Sequence, residues 1–194
     1  MKFIGRKPRG FYSTCRALET LAFNYAADSN LDLVGFTYSD WVGDSIDRKF
    51  TSDYVFMFGS GPIYWSSKNQ VAISLSSAEA EYRGTVNACI QTVWMQDILA
   101  EFDIGRTTST VIFCDNHSAI KISTDLVQRQ RTKHIEIHMH YIRELVHDRT
   151  IVLQYFPTDE QFADIFTKSF TEKKFSYCCS LLGVSSIIVK TLFL

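Results

Sequence analysis

The spacing of hydrophobic and polar positions predicts strands in the first third of the chain and alternating helices and strands after it. Short runs rich in β-branched and aromatic residues predict strands over residues 31–38, 53–58 and 62–65. Gly59, Ser60 and Gly61 supply a turn between the last two strands. Three sequential strands with short links indicate an antiparallel meander.

The longest predicted helix begins at a capping box. Ser76 followed by Glu79 matches the capping pattern, and apolar residues then recur at helical spacing to about residue 102. Further strands are predicted at 110–114 and 150–156, and further helices at 117–124, 135–147, 159–168 and 173–182, with Gly183 closing the last helix. Each later strand is reached through helices, which favours parallel pairing. The order predicts an α/β fold, a mixed five-stranded sheet with helices on its faces.

Composition places the chain among ordinary globular proteins of one domain, or of one domain plus a fragment. The 194 residues are 46% hydrophobic, and 20 Lys+Arg against 21 Asp+Glu give a net charge of −1, which creates no overall field that would attract nucleic acid. The five cysteines are odd in number and lack paired CxxC spacing, so we expect an intracellular location, cytoplasmic or nuclear, and no secretion. No stretch reaches the ~18 apolar residues of a membrane span, so we expect no membrane partner.

Four acidic residues lie where predicted strands end or helices begin: Asp40, Glu81, Asp115 and Asp164. Functional residues of open sheets gather at such points. Four carboxylates brought together would repel one another unless a cation neutralised them, and hard oxygen ligands suit Mg²⁺ or Mn²⁺. For any single one of the four, capping or turn formation is the simpler explanation. The capping box already accounts for Glu79, which leaves Glu81 as the helix acid free to face elsewhere.

Five motifs then occur in a recognisable order: Trp65-Ser-Ser-Lys-Asn-Gln70, Leu75-Ser-Ser-Ala-Glu-Ala-Glu-Tyr82, Phe113-Cys-Asp-Asn-His-Ser-Ala-Ile120, Arg131-Thr-Lys-His-Ile-Glu-Ile-His138 and Ala163-Asp-Ile-Phe-Thr-Lys168. Together they resemble the ribonuclease H domain at the end of copia-type LTR-retrotransposon Pol polyproteins. The resemblance covers residues 31–184. Residues 1–30 resemble an eroded remnant of the segment that joins reverse transcriptase to ribonuclease H, and residues 185–194 form a tail that matches nothing in the family.

The resemblance implies a ribonuclease H-like fold and hydrolysis of the RNA strand of an RNA/DNA hybrid with two Mg²⁺ or Mn²⁺ ions. It also implies a partner, the reverse transcriptase portion of the same polyprotein. Glu81, Asp115 and Asp164 match three of the family's metal-binding acids. The family's first aspartate is replaced, because the matching stretch reads Gly35-Phe-Thr-Tyr-Ser-Asp-Trp-Val-Gly-Asp44 and places Tyr38 at that position.

A tyrosine at the first acidic position puts catalysis in question. A phenol is neutral at pH 7 and cannot bridge two divalent cations as a carboxylate does. Asp40, two residues on, would share the sheet face of Tyr38 if the strand continued, and could supply one metal contact. The alternatives to an impaired ribonuclease H are therefore a catalytically dead module that binds hybrids or other partners, and a decayed Pol fragment.

Polar and basic residues near these acids are candidates for nucleic-acid contacts. Asn116 and Ser118 stand beside Asp115 and could donate hydrogen bonds to a hybrid, while Arg131, Lys133 and His134 could contact phosphates. A solvated face explains the basic residues about as well. We further expect Glu81, Asp115 and Asp164 to lie together in the fold, and the residues outside 31–184 to be dispensable for folding.

Overall fold

The structure, a computed structural model, describes residues 21–27, 29–40, 50–70, 74, 76–104, 109–124, 133–158 and 171–186. The strands are β1 (Leu21–Phe23), β2 (Leu33–Asp40), β3 (Thr51–Phe58), β4 (Gly61–Asn69), β5 (Thr110–Cys114), β6 (Ile151–Tyr155) and β7 (Val184–Ser186). The helices are α1 (Ser77–Glu101), α2 (His117–Thr124), α3 (Lys133–His147) and α4 (Glu172–Leu181). The helix predicted at 159–168 lies outside the described residues.

The main sheet has five strands in the order β4-β3-β2-β5-β6. β2 pairs antiparallel with β3, and β3 pairs antiparallel with β4, which confirms the predicted meander. β5 pairs parallel with both β2 and β6, as expected for strands reached through helices. The predicted mixed five-stranded sheet with helices on its faces is therefore the observed fold.

Side chains that alternate along the strands form a core on each face of the sheet. On one face, Phe56 and Ile112 are fully buried in a cluster with Val86 of α1 and Ile142 of α3. On the other face, a second cluster brings together six buried residues: Phe36, Tyr38, Val55, Met57, Cys178 and Leu182. The last two belong to α4 and the residue after it, so the sheet lies between helices on both faces.

A small second sheet joins segments that the sequence left unassigned. β1 lies before the predicted unit of residues 31–184, and it pairs antiparallel with β7, which spans the end of that unit. Residues beyond both predicted boundaries therefore take part in strand pairing. The side chain of Tyr25, which follows β1, donates a 2.6 Å hydrogen bond to the carbonyl of Pro62 in β4. Gly183 takes a φ of +64° at the end of α4, in agreement with the predicted C-terminal cap. Strands of three residues give too little periodicity to be predicted from sequence.

Candidate metal centre

The candidate site lies at the carboxyl ends of the parallel strands β2, β5 and β6. Pairing between β2 and β5 ends at Thr37 and Cys114, and β2 continues to Asp40. The sequence placed Asp40 just past its strand. It is instead the last residue of β2, which extends because the pairing with β3 continues to Thr51. Beyond Thr37, β2 is paired on one side only among the described residues, and its backbone groups on the other side are available to side chains.

Glu81 uses one of these backbone groups. The Ser39 N–H donates to Glu81 Oε1 at 2.8 Å, and the glutamate is only 5% exposed although it lies in the second turn of α1. The close approach of helix and strand depends on Gly84, where an added Cβ would lie 2.8 Å from the Ser39 hydroxyl oxygen. The local sequence therefore places one carboxylate at the point where β2 and β5 separate.

A buried hydrogen-bond network fixes the first turn of α1 against the sheet. The Ser39 hydroxyl donates to the Ala80 carbonyl at 3.1 Å, and the Gln70 amide donates to the same carbonyl at 2.8 Å. Gln70 also donates to the Ser52 hydroxyl at 2.6 Å and accepts from Ser74 at 2.7 Å. The sequence analysis gave these residues no structural role, because polar side chains in and beside strands are ordinarily assigned to a solvent-facing surface.

The helix start itself follows the sequence. Ser76 caps α1 by accepting from the Glu79 N–H at 3.1 Å. The Glu79 carboxylate accepts from Arg83, one turn along the helix, at 2.9 Å. The two acids of the motif thus have different surroundings, since Glu79 is paired on the helix surface and Glu81 is buried against β2.

Asp115 follows the last residue of β5 and is held by the segment after β6. The Thr158 hydroxyl donates to Asp115 Oδ2 at 3.0 Å, and the Phe156 N–H donates to the Cys114 carbonyl at 3.0 Å. These two bonds connect the ends of neighbouring parallel strands. Asp115 is therefore presented at the sheet edge next to Glu81.

Three side chains of the described residues come close enough to share one metal ion. Ligand atoms of Glu81, Cys114 and Asp115 all lie within 4.8 Å of one another. The structure therefore brings together two of the predicted acids and adds Cys114, which the sequence analysis did not single out. Its position immediately before Asp115 on a buried strand was the signal available.

The thiol and the carboxylates differ in what they offer a cation. Burial, reinforced by the negative charges of Glu81 and Asp115, raises the pKa of Cys114 to about 11. The thiol is therefore protonated at neutral pH, which leaves the two carboxylates as the candidate ligands for a cation. Hard oxygen donors of this kind fit Mg²⁺ or Mn²⁺.

The other predicted acids are only partly described. Asp164 lies outside the described residues, and so does the side chain of Asp40. Tyr38, at the first acidic position, is 6% exposed and belongs to the apolar cluster on the face of α4. Asp53 stands directly opposite Tyr38 on β3 and is fully buried. The sequence analysis overlooked this carboxylate, because a single polar residue within a strand is ordinarily taken as exposed to solvent.

The candidate nucleic-acid residues are distributed around the start of α2 and α3. Asn116 caps α2, since its Oδ1 accepts from the N–H groups of Ser118 at 2.9 Å and Ala119 at 3.1 Å. Ser118 is exposed in the first turn of the same helix. Lys133 and His134 begin α3, but their side chains, like all of Arg131, lie outside the described part of the chain. The cap gives Asn116 a structural role alongside its predicted contact.

No helix in the described residues is long and apolar enough to cross a membrane. No family model matches the sequence. The chain is 36% identical over 186 residues to the retrovirus-related Pol polyprotein from transposon TNT 1-94 of Nicotiana tabacum, a match that covers 96% of the chain and 13% of that polyprotein. It is 35% identical over 159 residues to the corresponding polyprotein from transposon RE1 of Arabidopsis thaliana, with 82% and 11% covered. The chain thus spans little more than a tenth of the length of these curated relatives.

A similar solved structure is that of LC11-RNase H1, isolated from compost, with 13% identity and a TM-score of 0.48 over 78% of this chain and 93% of that one. The match to the tobacco polyprotein covers 186 of the 194 residues and so includes all five motifs. This chain belongs with the retrovirus-related Pol polyproteins of plant transposons, to a segment of which it is homologous.

Proposed function

We propose that this chain is a ribonuclease H that hydrolyses the RNA strand of RNA/DNA hybrids, with activity reduced by Tyr38. The observation that carries the proposal is the approach of the Glu81 and Asp115 carboxylates within one 4.8 Å cluster at the carboxyl ends of parallel strands. Asp164 and Asp40 are proposed to complete the acidic set. The substrate and a reverse transcriptase partner in the same polyprotein are inferred from the relationship to Pol polyproteins.

The acidic residues would hold two Mg²⁺ or Mn²⁺ ions. Bound divalent ions of this kind offset negative charge at the phosphate and activate water at neutral pH. Glu81 is kept in place by the Ser39 N–H, and Asp115 by the Thr158 hydroxyl. Both carboxylates are therefore oriented before substrate binds, which lowers the cost of assembling the site.

Hybrid binding is proposed to use donors next to the acids. Ser118, together with the amide nitrogen of Asn116, would contact the sugar-phosphate backbone beside Asp115. Arg131, Lys133 and His134 would contact phosphates further along. Recognition of a hybrid depends on shape, phosphates and 2′-hydroxyl groups, which suits short polar and basic side chains.

A second candidate function is hybrid binding without catalysis. It is favoured by Tyr38, which lies among apolar side chains where the family carries its first aspartate. Without that carboxylate, less negative charge is available to offset the repulsion between two divalent ions. The two candidates make different predictions for the same purified chain.

Cleavage of a labelled RNA/DNA hybrid tests both candidates. We expect weak cleavage by the unchanged chain with Mg²⁺ and stronger cleavage after Tyr38→Asp. Adding Asp115→Asn to that variant should reduce its cleavage at least about 100-fold, because a direct metal ligand should matter more than the residues hydrogen-bonded to it. Circular dichroism of each variant controls for folding. Binding without cleavage in every folded variant would favour the second candidate, and an absence of binding would contradict both.

A further inference from the structure

Residues at and just after the end of β6 contact residues at and just after the end of β5 at three points. The Phe156 N–H donates to the Cys114 carbonyl at 3.0 Å, and the Thr158 hydroxyl donates to Asp115 Oδ2 at 3.0 Å. The ring of Tyr155 stacks on that of His117, with centroids 3.8 Å apart and planes within 12°. The end of β6 and the residues after it therefore contact residues on both sides of Asp115.

We propose that Thr158 is a positioning residue for the metal centre, which sets the affinity of the site for divalent cations by orienting the Asp115 carboxylate. The inference rests on the proposed function, because it concerns the same acidic site. Neither the sequence motifs nor the comparisons point to Thr158, which lies outside the matched motifs. The assignment comes from its hydrogen bond to Asp115.

A hydroxyl is well suited to orient a metal-binding carboxylate. Rotation of an aspartate carboxylate about its last side-chain bond is only weakly restricted by its own stereochemistry. A donor fixed at Oδ2 restricts that rotation, and a neutral hydroxyl leaves the negative charge of Asp115 available to a cation. An ammonium or guanidinium at the same place would offset that charge. Partners of metal-binding carboxylates commonly act in this way.

Thr158 can serve this role because its backbone is anchored although its side chain is exposed. Pro157, just before it, has a fixed φ and limits the conformations of the segment. The ring of Phe156 packs edge-on against Phe36 at 5.5 Å and lies 5.2 Å from the ring of Phe113. These contacts tie residues 156–158 to the second core cluster. The segment that carries the hydroxyl is therefore anchored next to Asp115.

The role can be separated from a general effect on stability. The hydrogen bond is exposed, so its loss should change the unfolding midpoint only slightly. Loss of orientation should instead appear in the affinity for the cation. Thr158→Val keeps the shape of the side chain and removes the hydroxyl, whereas Thr158→Ser keeps the hydroxyl. Thr124 provides a matched control, because its exposed hydroxyl donates to a helix carbonyl.

The experiment measures binding of Mn²⁺ to the metal-free full chain by calorimetry, and cleavage of the hybrid against Mn²⁺ concentration. We expect Thr158→Val to weaken Mn²⁺ binding about 10- to 100-fold, with Thr158→Ser and Thr124→Val within about threefold of the unchanged chain. Saturating Mn²⁺ should restore cleavage by the valine variant to the level of the unchanged chain.

Equal Mn²⁺ affinity of the valine variant and the unchanged chain would overturn the inference, as would equal losses in the valine and serine variants or a comparable loss in Thr124→Val. Binding that Asp115→Asn abolishes but Thr158→Val leaves intact would overturn the role of Thr158 alone. A folded chain that neither binds Mn²⁺ nor cleaves the hybrid would overturn the proposed function and this inference together.

Discussion

Replacing Tyr38 by aspartate should destabilise the chain and at the same time make its stability depend on divalent cations. The tyrosine is 6% exposed in the cluster that includes Phe36 and Leu182. Aspartate removes an aromatic ring from this cluster and introduces a carboxylate. The new carboxylate would also stand opposite Asp53, the residue paired with position 38 on β3.

The loss can be estimated from the change in packing. Truncation of a buried aromatic side chain typically costs about 3–5 kcal/mol, and directly opposed like charges on paired strands add to that cost. For a chain of this size about 1 kcal/mol corresponds to roughly 2–4 °C in the unfolding midpoint, so a decrease of about 6–20 °C is expected without metal. A cation present at about 100 times its Kd would return about 2.7 kcal/mol.

Thermal unfolding with EDTA and then with Mg²⁺ measures both effects, with Tyr38→Asn as the matched control. Asparagine removes the same ring without adding a charge, so we expect it to lose similar stability and to regain none with Mg²⁺. The unchanged chain should respond less than the aspartate variant. An equal response of the aspartate and asparagine variants would refute the idea that position 38 can hold a metal ligand. Full stability of the aspartate variant in EDTA would refute the packing estimate.

Three further results follow from packing, strand pairing and ionisation. Gly84→Ala should cost about 1–3 kcal/mol in urea unfolding, because the new Cβ would lie 2.8 Å from the Ser39 hydroxyl oxygen; an unchanged midpoint would contradict this. Deletion of residues 1–30 removes β1 and the Tyr25 hydrogen bond. The unfolding midpoint should fall by several degrees, at about 2–4 °C for each kcal/mol of stability lost. An unchanged midpoint would show that this leader is dispensable for folding. Burial raises the pKa of the Cys89 thiol above that of an unfolded thiol. The contribution of this protonated thiol to the free energy of unfolding should be fully present below about pH 8.5 and be lost as the pH rises, by up to about 1.4 kcal/mol per pH unit. Cys89→Ala should show a shallower fall of stability with pH, and an identical slope would contradict this role of Cys89.

Elements with strong local signals were predictable from the sequence. The capping box at Ser76 and the run from Thr110 to Cys114 gave helix and strand starts that agree with the structure, because a cap and a buried β-branched run are recognisable without tertiary information. The proximity of Glu81 and Asp115 was also predicted, since functional residues of open sheets gather where strands end and neighbouring helices begin.

The remainder of the site depends on contacts between distant segments. The hydrogen bond from Thr158 to Asp115 joins residues 43 positions apart, and the network around Gln70 depends on the packing of α1 against β2 and β3. The burial of Asp53 likewise depends on the segments that pack on its face of β3. A short polar residue in a sequence does not reveal such a partner.

The pairing of β1 with β7 also determines how the fold would respond to mechanical force. Leu21 faces Ser186 and Phe23 faces Val184, so tension applied through the flanking polypeptide would pull on the Leu21–Ser186 end of the ladder first. The hydrogen bonds of an antiparallel pair run perpendicular to the strands, so tension applied at one end loads the outermost bond first and the bonds break one after another. The small sheet would therefore unzip at low force and act as an extensible link. The five-stranded sheet and its acidic site would remain intact while the two ends of the segment were drawn apart.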